Sequence, residues 1–176
     1  MFKNEYIKFR VIKKNDLDKL IDLRNEISTW QSLKNINLLD YSNQLDWHKS
    51  LKNNESKKYF IIENLNSKFL GLIRMDQIDY INKTIRIGCD IVITERNKGY
   101  ASKTYDLMFD YCFNFLNMNK VWLEVAIFNK NAIRLYFKKG FLKEGLIRKN
   151  IFRNGRYYDS LMMGLLKNEY KRFLNK

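Results

Sequence analysis

Two short clusters of residues have the types and spacing needed to bind and activate a ligand. The first, at 96–101, reads Arg-Asn-Lys-Gly-Tyr-Ala and lies between a strand pattern and a helix pattern. A glycine at a helix start lets the backbone come close to a ligand, and the free N–H groups of the first turn attract phosphate. Arg96 and Lys98 add positive charge. Since one glycine at a helix start is more often a simple turn, this cluster alone does not define a phosphate site.

The second cluster, at 129–141, reads Asn-Lys-Asn-Ala-Ile-Arg-Leu-Tyr-Phe-Lys-Lys-Gly-Phe. Its apolar residues recur at helical spacing, and Gly140 marks the end of the helix. Tyr136 lies inside this pattern. A phenol is still protonated at neutral pH, so it can donate a proton to a leaving group. Taken by itself, an aromatic residue on a helix face is usually part of the core.

Together the two clusters resemble a known pair of motifs. Residues 96–101 resemble the R/Q-x-x-G-x-G/A pyrophosphate loop of the GNAT acetyltransferase superfamily, with Ala101 where many members have a second glycine. Residues 129–141 are similar to its N-x-x-A-x-x-L-Y-x-x-x-G-F motif, in the same order and at about the same spacing. The resemblance implies an enzyme that transfers acetyl from acetyl-CoA to an amine by direct attack in a ternary complex. A non-catalytic acyl-CoA-binding module is the alternative, and the presence of Tyr136 argues against it.

The resemblance also implies which residues hold the cofactor, coenzyme A. Backbone amides at 97–101 would bind the pyrophosphate, the strand edge around 91–93 would pair with the pantetheine arm, and Asn129 would hydrogen-bond that arm. Tyr136 would stand beside the sulfur as the proton donor. The predicted cofactor-binding residues are Ile91, Val92, Ile93, Arg96, Asn97, Lys98, Gly99, Tyr100, Ala101, Ser102, Asn129, Asn131, Ala132 and Lys138.

Acetyl transfer also needs a group that takes the proton of the amine, and the sequence offers several candidates. Glu124 lies in an otherwise apolar strand, so we predict it as the catalytic partner of Tyr136, although it could instead pair with a lysine. His48, the only histidine, has a suitable intrinsic pKa, but a lone histidine on a helix is usually packed or solvated. A water relay from Asp76, Asp90 or a main-chain carbonyl is a further option.

The predicted elements place both clusters beside one sheet. Alternating and apolar segments predict strands, with a type I′ hairpin at Asn154-Gly155, at 6–12, 58–63, 69–79, 84–93, 121–127, 141–152 and 157–166. Helical spacing predicts helices that start after 15–16 and after 42, and further helices at 99–116 and 129–139. The fold class is therefore α/β (α+β), a GNAT-type mixed, mostly antiparallel sheet of about seven strands flanked by helices. We expect 1–176 to form a single domain.

Composition limits the partners and the compartment. Apolar residues make up 45% of the 176 residues, which excludes a disordered chain. No run of roughly 18 apolar residues and no signal peptide is present, so we expect a soluble, cytoplasmic protein without a membrane partner. Cys89 and Cys112 are too few for a metal site or a disulfide framework, and we expect buried free thiols. No basic helix or stacked-aromatic module indicates nucleic acid. The oligomeric state is left open, a homodimer included.

The acceptor is predicted from partial resemblances and from charge. Residues 20–59 resemble the amino-sugar N-acetyltransferases that act on nucleotide-linked 4-amino-4,6-dideoxy sugars, whereas the hairpin at 152–159 resembles ribosomal-protein and polyamine acetyltransferases. The net charge of +14 would repel spermidine and attract a nucleotide sugar, although abundant Lys, Asn and Ile without Pro is typical of compositional bias. We predict a small-molecule amine, first a nucleotide sugar, with ribosomal-protein N-termini or polyamines as alternatives. The predicted substrate-binding residues are Arg24, Trp47, His48, Arg74 and Asp76.

Overall fold

The computed structural model describes residues 2–34 and 37–174. The elements in chain order are β1 (Phe2–Lys3), β2 (Ile7–Val11), α1 (Leu17–Asn25), α2 (Ile27–Ser32), α3 (Tyr41–Ser50), β3 (Lys58–Asn64), β4 (Phe69–Asp79), β5 (Thr84–Ile91), α4 (Tyr100–Phe109), β6 (Lys120–Ala126), α5 (Lys130–Lys138), β7 (Leu142–Arg153), β8 (Arg156–Leu166) and α6 (Lys167–Leu174). Within these residues, no helix combines the length and the apolar character needed to cross a bilayer.

The strands form one mixed sheet in the order β1-β2-β3-β4-β5-β6-β8-β7. Every neighbouring pair is antiparallel except β5 and β6, which run parallel. The predicted fold class is thus confirmed, and the seven predicted strands gain the two-residue β1. The predicted hairpin turn has positive φ at both central residues, 48° at Asn154 and 74° at Gly155, as a type I′ turn requires.

The core lies between the sheet and the helices that cover it. In β6, Val121 and Leu123 are buried, whereas Trp122 and Glu124 point to the opposite face, as the alternation predicts. Helix α4 buries its apolar stripe, including Tyr105, against the same core. The sequence pattern therefore places Glu124 on the face of the sheet away from the main core.

The sheet opens between β5 and β6. The two strands pair only at Thr84 with Lys120, Ile85 with Val121 and Arg86 with Trp122, although β5 continues to Ile91 and β6 to Ala126. Beyond Arg86, β5 is therefore paired with β4 alone, and one of its main-chain edges faces the gap. An extended ligand can hydrogen-bond to such an edge as a further strand would.

Two predicted segments differ from the structure near this gap. Strand β5 ends at Ile91, and Ile93 begins a 3₁₀ turn, so the free strand edge extends to Ile91 but not to Ile93. Helix α4 is regular only to Phe109 and continues to Phe115 as a π-helix. Regular helical spacing predicts one buried stripe made of Ala101, Tyr105, Met108, Cys112 and Phe115. The wider turn rotates the chain, so Phe115 is 68% exposed while Phe113 is fully buried.

Helices α2 and α6 were not predicted. Helix α2 is short, and its residues Ile-Ser-Thr-Trp-Gln-Ser carry no helical apolar stripe. It forms because Glu26 caps it, accepting hydrogen bonds from the main-chain N–H groups of Ser28 and Thr29. This helix brings its serines and threonine to the open side of the sheet, where they contribute to the site.

Candidate active site

Two cavities meet at Tyr136. The first, called the α4 cavity, has a volume of about 410 Å³ and is lined by the N-terminus of α4, the end of β5 and the start of α5. The second, called the β4 cavity, has a volume of about 740 Å³ and lies over β4, β5 and β6. Tyr136 and Ser32 line both. A group bound in one cavity can therefore react with a group bound in the other beside the Tyr136 hydroxyl.

The N-terminus of α4 is open to the α4 cavity. Its N-cap residue is Gly99, whose φ of +83° lies in the left-handed region and which has no side chain to cap the helix. Within the described chain, the main-chain N–H groups of residues 97–102 take part in no hydrogen bond. A Cβ atom at Gly99 would meet nothing within 4 Å. The unpaired donors and the open space fit the diphosphate of coenzyme A.

The basic residues of this loop are held by carboxylates of the protein itself. Arg96 donates to the Ile91 carbonyl at 2.9 Å and forms an ion pair with Glu26 at 3.2 Å. Lys98 lies 3.2 Å from the Glu95 carboxylate. Main-chain donors, rather than these two side chains, are therefore the groups of the loop that are free to bind a phosphate.

Glu26 connects this loop to α2. Its carboxylate accepts from the N–H groups of Ser28 and Thr29 and also pairs with Arg96. Burial acts to raise the pKa of Glu26, but hydrogen bonds from Ser28 and Thr29 outweigh it and lower the pKa to about 2. The carboxylate therefore stays ionised at neutral pH and can hold Arg96 in place.

Most of the predicted cofactor-binding residues come together in the α4 cavity. Asn129 is the N-cap of α5 and accepts a hydrogen bond from the Ala132 N–H at 3.3 Å. The predicted residues that line the cavity are Ile91, Arg96, Asn97, Gly99, Tyr100, Ala101, Ser102, Asn129, Asn131 and Ala132. Those that do not line it are Val92, Ile93, Lys98 and Lys138.

Tyr136 is packed so that its phenol stays protonated. Its ring meets the Tyr105 ring at 5.5 Å between centroids and the Phe141 ring at 5.7 Å, both edge to face. Burial raises the pKa of Tyr136 to about 12. The neutral phenol at the junction of the two cavities is placed to donate a proton, and this role stays a prediction.

Glu124 lines the β4 cavity with Tyr136. Asn150 donates to its carboxylate and also to the Ser160 hydroxyl, and the Lys34 ammonium lies 4.0 Å away. The sequence left two roles open for Glu124, a catalytic base and an ion-pair partner of a lysine. The structure is compatible with both, because Glu124 lines the cavity and the Lys34 ammonium lies at the longest distance that counts as an ion pair. Its role as the base stays a prediction.

The other candidate bases are placed differently. Asp76 lines the β4 cavity but forms a close ion pair with Arg86 and accepts from the Tyr59 hydroxyl at 3.2 Å. Asp90 is paired with Arg74 at 3.1 Å. His48 lines neither cavity, and its Nε2 lies 3.4 Å from the Ile12 carbonyl oxygen. Of these carboxylates, Glu124 is the one without an arginine partner in the described chain.

The predicted substrate-binding residues, His48 excepted, line the β4 cavity. Arg24 is notable because it has no hydrogen bond or ion pair within the described residues. Burial and the nearby positive charge of Arg74 lower the pKa of Arg24. The cations that line this cavity are Arg24, Lys34, Lys57, Arg74 and Arg86, and its carboxylates are Asp76 and Glu124.

Several lining residues were not predicted from the sequence. Tyr105 and Cys89 line the α4 cavity, and Cys89 is partly exposed rather than buried as expected, whereas Cys112 is the expected buried thiol. Tyr105 lies on the apolar stripe of α4, where its spacing is the same as that of a core residue. Residues Ser28, Thr29 and Ser32 reach the cavity through the unpredicted α2. No sequence signal distinguished these residues from core or surface positions.

Comparison with known proteins places this geometry in a family. The model of the acetyltransferase (GNAT) domain matches residues 9–162. The spermidine N(1)-acetyltransferase of Vibrio cholerae serotype O1 is 29% identical over 170 residues, covering 95% of this chain and 96% of the relative. That of Escherichia coli K12 is 28% identical over 167 residues, covering 93% and 88%. A crystal structure of spermidine N-acetyltransferase from Vibrio cholerae in complex with CoA and spermine has a TM-score of 0.91 and 26% identity, covering 96% of this chain and 99% of that one.

The matched residues, 9–162, include both sequence clusters, Tyr136 and the two strands, β5 and β6, that border the gap. The resemblance inferred from the motifs at 96–101 and 129–141 is confirmed at the level of the family. From the match over 9–162, together with the open N-terminus of α4, the chain belongs to the GNAT acetyltransferase family.

Proposed function

We propose that this acetyl-CoA-dependent N-acetyltransferase acetylates a primary amine of a polyamine of the spermidine class. The observation that supports the acceptor is that two relatives named as spermidine N(1)-acetyltransferases match more than nine tenths of this chain. They favour the polyamine alternative over the nucleotide sugar that the sequence alone led us to put first. The acceptor would occupy the β4 cavity, with the reacting amine between Glu124 and Tyr136.

The residues divide the chemistry between them. Acetyl-CoA supplies a thioester whose acyl carbon accepts the amine. The amides of 97–102 hold the diphosphate and so orient the thioester toward Tyr136. Glu124 takes the proton that the amine loses as the carbon–nitrogen bond forms. Tyr136 donates its proton to the sulfur as the carbon–sulfur bond breaks, and it regains a proton from solvent.

A second acceptor class is favoured by the charge of the β4 cavity. Arg24 has no partner within the described chain and lies near a second arginine, Arg74, so a polycation entering there would be repelled. An amine that also carries a phosphate or carboxylate would instead pair with Arg24. The nucleotide-linked amino sugar predicted from the sequence belongs to this class.

One variant distinguishes the two classes by the sign of its effect. Thiol release from acetyl-CoA is measured with spermidine, with a UDP-linked 4-amino-4,6-dideoxy sugar and with a ribosomal-protein N-terminal peptide, using the wild type and Arg24→Gln. With a polyamine acceptor, removing the cation lowers KM by about fivefold, equivalent to ~1 kcal/mol of repulsion. With an anionic acceptor, the same substitution raises KM.

Lys143→Gln is the matched control, because Lys143 is exposed outside both cavities and carries the same charge. It should leave KM unchanged for every acceptor. Turnover of the UDP-sugar without turnover of spermidine would overturn the polyamine proposal. Absence of thiol release with all three acceptors would contradict each acceptor considered.

A further inference from the structure

Tyr105 carries a buried hydroxyl without a partner. The residue lies on α4, is only 1% exposed and lines the α4 cavity. Within the described chain, its hydroxyl makes no hydrogen bond. A buried polar group left unpaired costs about 1–3 kcal/mol, and folded proteins leave few such groups. A phenylalanine would fill the same space without that cost, so packing alone does not explain the hydroxyl, and a role in the site does.

The neighbour of this hydroxyl is the proton donor proposed above. The rings of Tyr105 and Tyr136 lie 5.5 Å apart between centroids, with an interplanar angle of 74°. The titratable and charged groups that act on Tyr136 are Tyr105 from α4, Cys89 and Asp90 from β5, and Arg74 from β4. Asp90 and Arg74 pair with each other, which leaves Tyr105 as the neutral hydroxyl donor of this group.

We propose that Tyr105 is a positioning residue whose free hydroxyl donates a hydrogen bond to the phenol oxygen of Tyr136 when that oxygen releases its proton. The proposal rests on the proposed function, because it assumes that Tyr136 protonates the sulfur. The Tyr136 O–H bond breaks, the proton goes to the sulfur of the leaving group, and Tyr136 is left with a negative oxygen. The Tyr105 hydroxyl then donates to this negative oxygen, since hydrogen bonds to charged acceptors are stronger than those to neutral ones. Solvent later returns the proton to Tyr136.

The directions in which the pKa values of the two phenols are shifted agree with this arrangement. Burial is the main cause that raises the pKa of Tyr136, while the nearby Tyr105 hydroxyl acts to lower it. Burial, together with the negative charge that Tyr136 acquires on ionisation, raises the pKa of Tyr105 well above its ordinary value. Tyr105 therefore keeps its proton while Tyr136 releases one.

The first test measures the Tyr136 phenol without turnover. A fluorinated tyrosine that ionises near neutral pH is placed at position 136, and its ionisation is followed by ¹⁹F NMR in otherwise wild-type protein and with Tyr105→Phe. Loss of the hydrogen bond should raise the pKa at position 136 by about half a pH unit or more. Tyr111→Phe is the matched control, because Tyr111 is buried on the π-helical extension of α4 but lines neither cavity. An unchanged titration with Tyr105→Phe would overturn the proposal.

The second test is a double-mutant cycle on turnover. Tyr105→Phe should lower kcat by about fivefold with KM for acetyl-CoA unchanged, the loss expected for one hydrogen bond in the transition state. In a Tyr136→Phe background, the same substitution should have no further effect on kcat, because Tyr105 acts through Tyr136. An equal loss in both backgrounds would indicate a structural role and would contradict the proposal.

The cycle separates failure of this inference from failure of the proposed function. If Tyr136→Phe leaves kcat unchanged, the assigned proton donor is wrong, and the inference fails with it. If Tyr136→Phe lowers kcat but Tyr105→Phe does not, only the inference fails. Cys89→Ala checks the thiol, since Cys89 lines the α4 cavity with Tyr105 and also acts on the pKa of Tyr136. A loss with Cys89→Ala equal to that with Tyr105→Phe would assign the effect to the thiol.

Discussion

Tyr136 illustrates how a residue type acquires a function from its position. The sequence places it on a helix, where a tyrosine is most often a core residue, and only the surrounding motif indicates chemistry. In the structure its ring packs into the core while the residue lines both cavities. Burial keeps the phenol neutral over the physiological pH range, since it raises the pKa to about 12.

Replacing Tyr136 by Phe removes the proposed proton donor and keeps the ring. We expect kcat to fall about 10- to 100-fold, the lower part of the usual range for general acid catalysis, because a thiolate is already a good leaving group. Binding of acetyl-CoA, measured by calorimetry, should be nearly unchanged. Equal kcat values for variant and wild type would remove the role assigned to Tyr136.

Glu124→Gln tests the proposed base. At pH 7 we expect kcat/KM to fall about 100-fold, because the amine then has to lose its proton to solvent. The difference in kcat/KM between the variant and the wild type should become smaller as the pH rises toward the pKa of the free amine, near 10. The measurement is kcat/KM from pH 6 to 10, with Glu144→Gln as control, since Glu144 lines neither cavity. A difference in kcat/KM that stays constant across this range would assign Glu124 a structural role.

At the scale of the element, we expect the start of α4 to determine whether the cofactor binds. The glycine in 96–101 predicted an open helix N-terminus, and the structure shows a left-handed residue with unpaired amides. The partners of the two basic residues were not predictable in the same way. Glu26 lies 70 residues from Arg96, and only the tertiary structure brings them together.

Gly99→Val should abolish detectable binding of coenzyme A. A branched side chain at φ +83° is strained by about 1–3 kcal/mol and fills the open space before the amides. Gly155→Val is the matched control, because Gly155 also has a positive φ, 74°, and open space around it, but lies in the β7–β8 hairpin. Both variants should lose stability in thermal unfolding, and only Gly99→Val should lose binding. Normal binding by Gly99→Val would exclude the loop as the phosphate site.

The cap of α2 makes a testable contribution to stability. The pKa of Glu26 is lowered from 4.5 to about 2, so its contribution is present above pH 4.5 and is lost as the pH falls toward 2. Glu26→Gln should lower the free energy of unfolding by about 1 kcal/mol at pH 7. The difference from the wild type should vanish near pH 2, as followed by urea unfolding. Glu55→Gln, at an exposed position, should show no such dependence; an equal loss there would indicate a general charge effect.

Elements with strong periodicity or turn residues were predicted closely. Elements that depend on a change of helical pitch or on one capping side chain were not. Strand β4 has the predicted limits, because its apolar run is bounded by turn residues. The π-helical turn after Phe109 cannot be inferred from spacing, since it changes the spacing itself. Helix α2 depends on the Glu26 cap more than on an apolar stripe. The shared wall of the two cavities was therefore only partly visible in the sequence.

At the scale of the whole molecule, the net charge and the relatives point to different acceptors. The value of +14 is an average over the surface, and the expected repulsion of spermidine was based on that average. The relatives that match most of the chain favour polyamines, whereas the arginines in the β4 cavity favour an anion. We expect the electrostatics of the cavity, and not the total charge, to determine which acceptor enters. The comparison of Arg24→Gln with the wild type measures the effect of the cavity charge on acceptor binding.

The parallel junction between β5 and β6 has a mechanical consequence. The junction has only three paired positions, and it joins the N-terminal strands β1–β5 to the C-terminal strands β6–β8. A molecule bound along the free edge of β5 would close that junction and couple the two halves. The amide protons of β5 beyond Arg86 should then exchange with deuterium more slowly in the loaded protein. We therefore expect the rigidity of the enzyme to increase when its cofactor is bound.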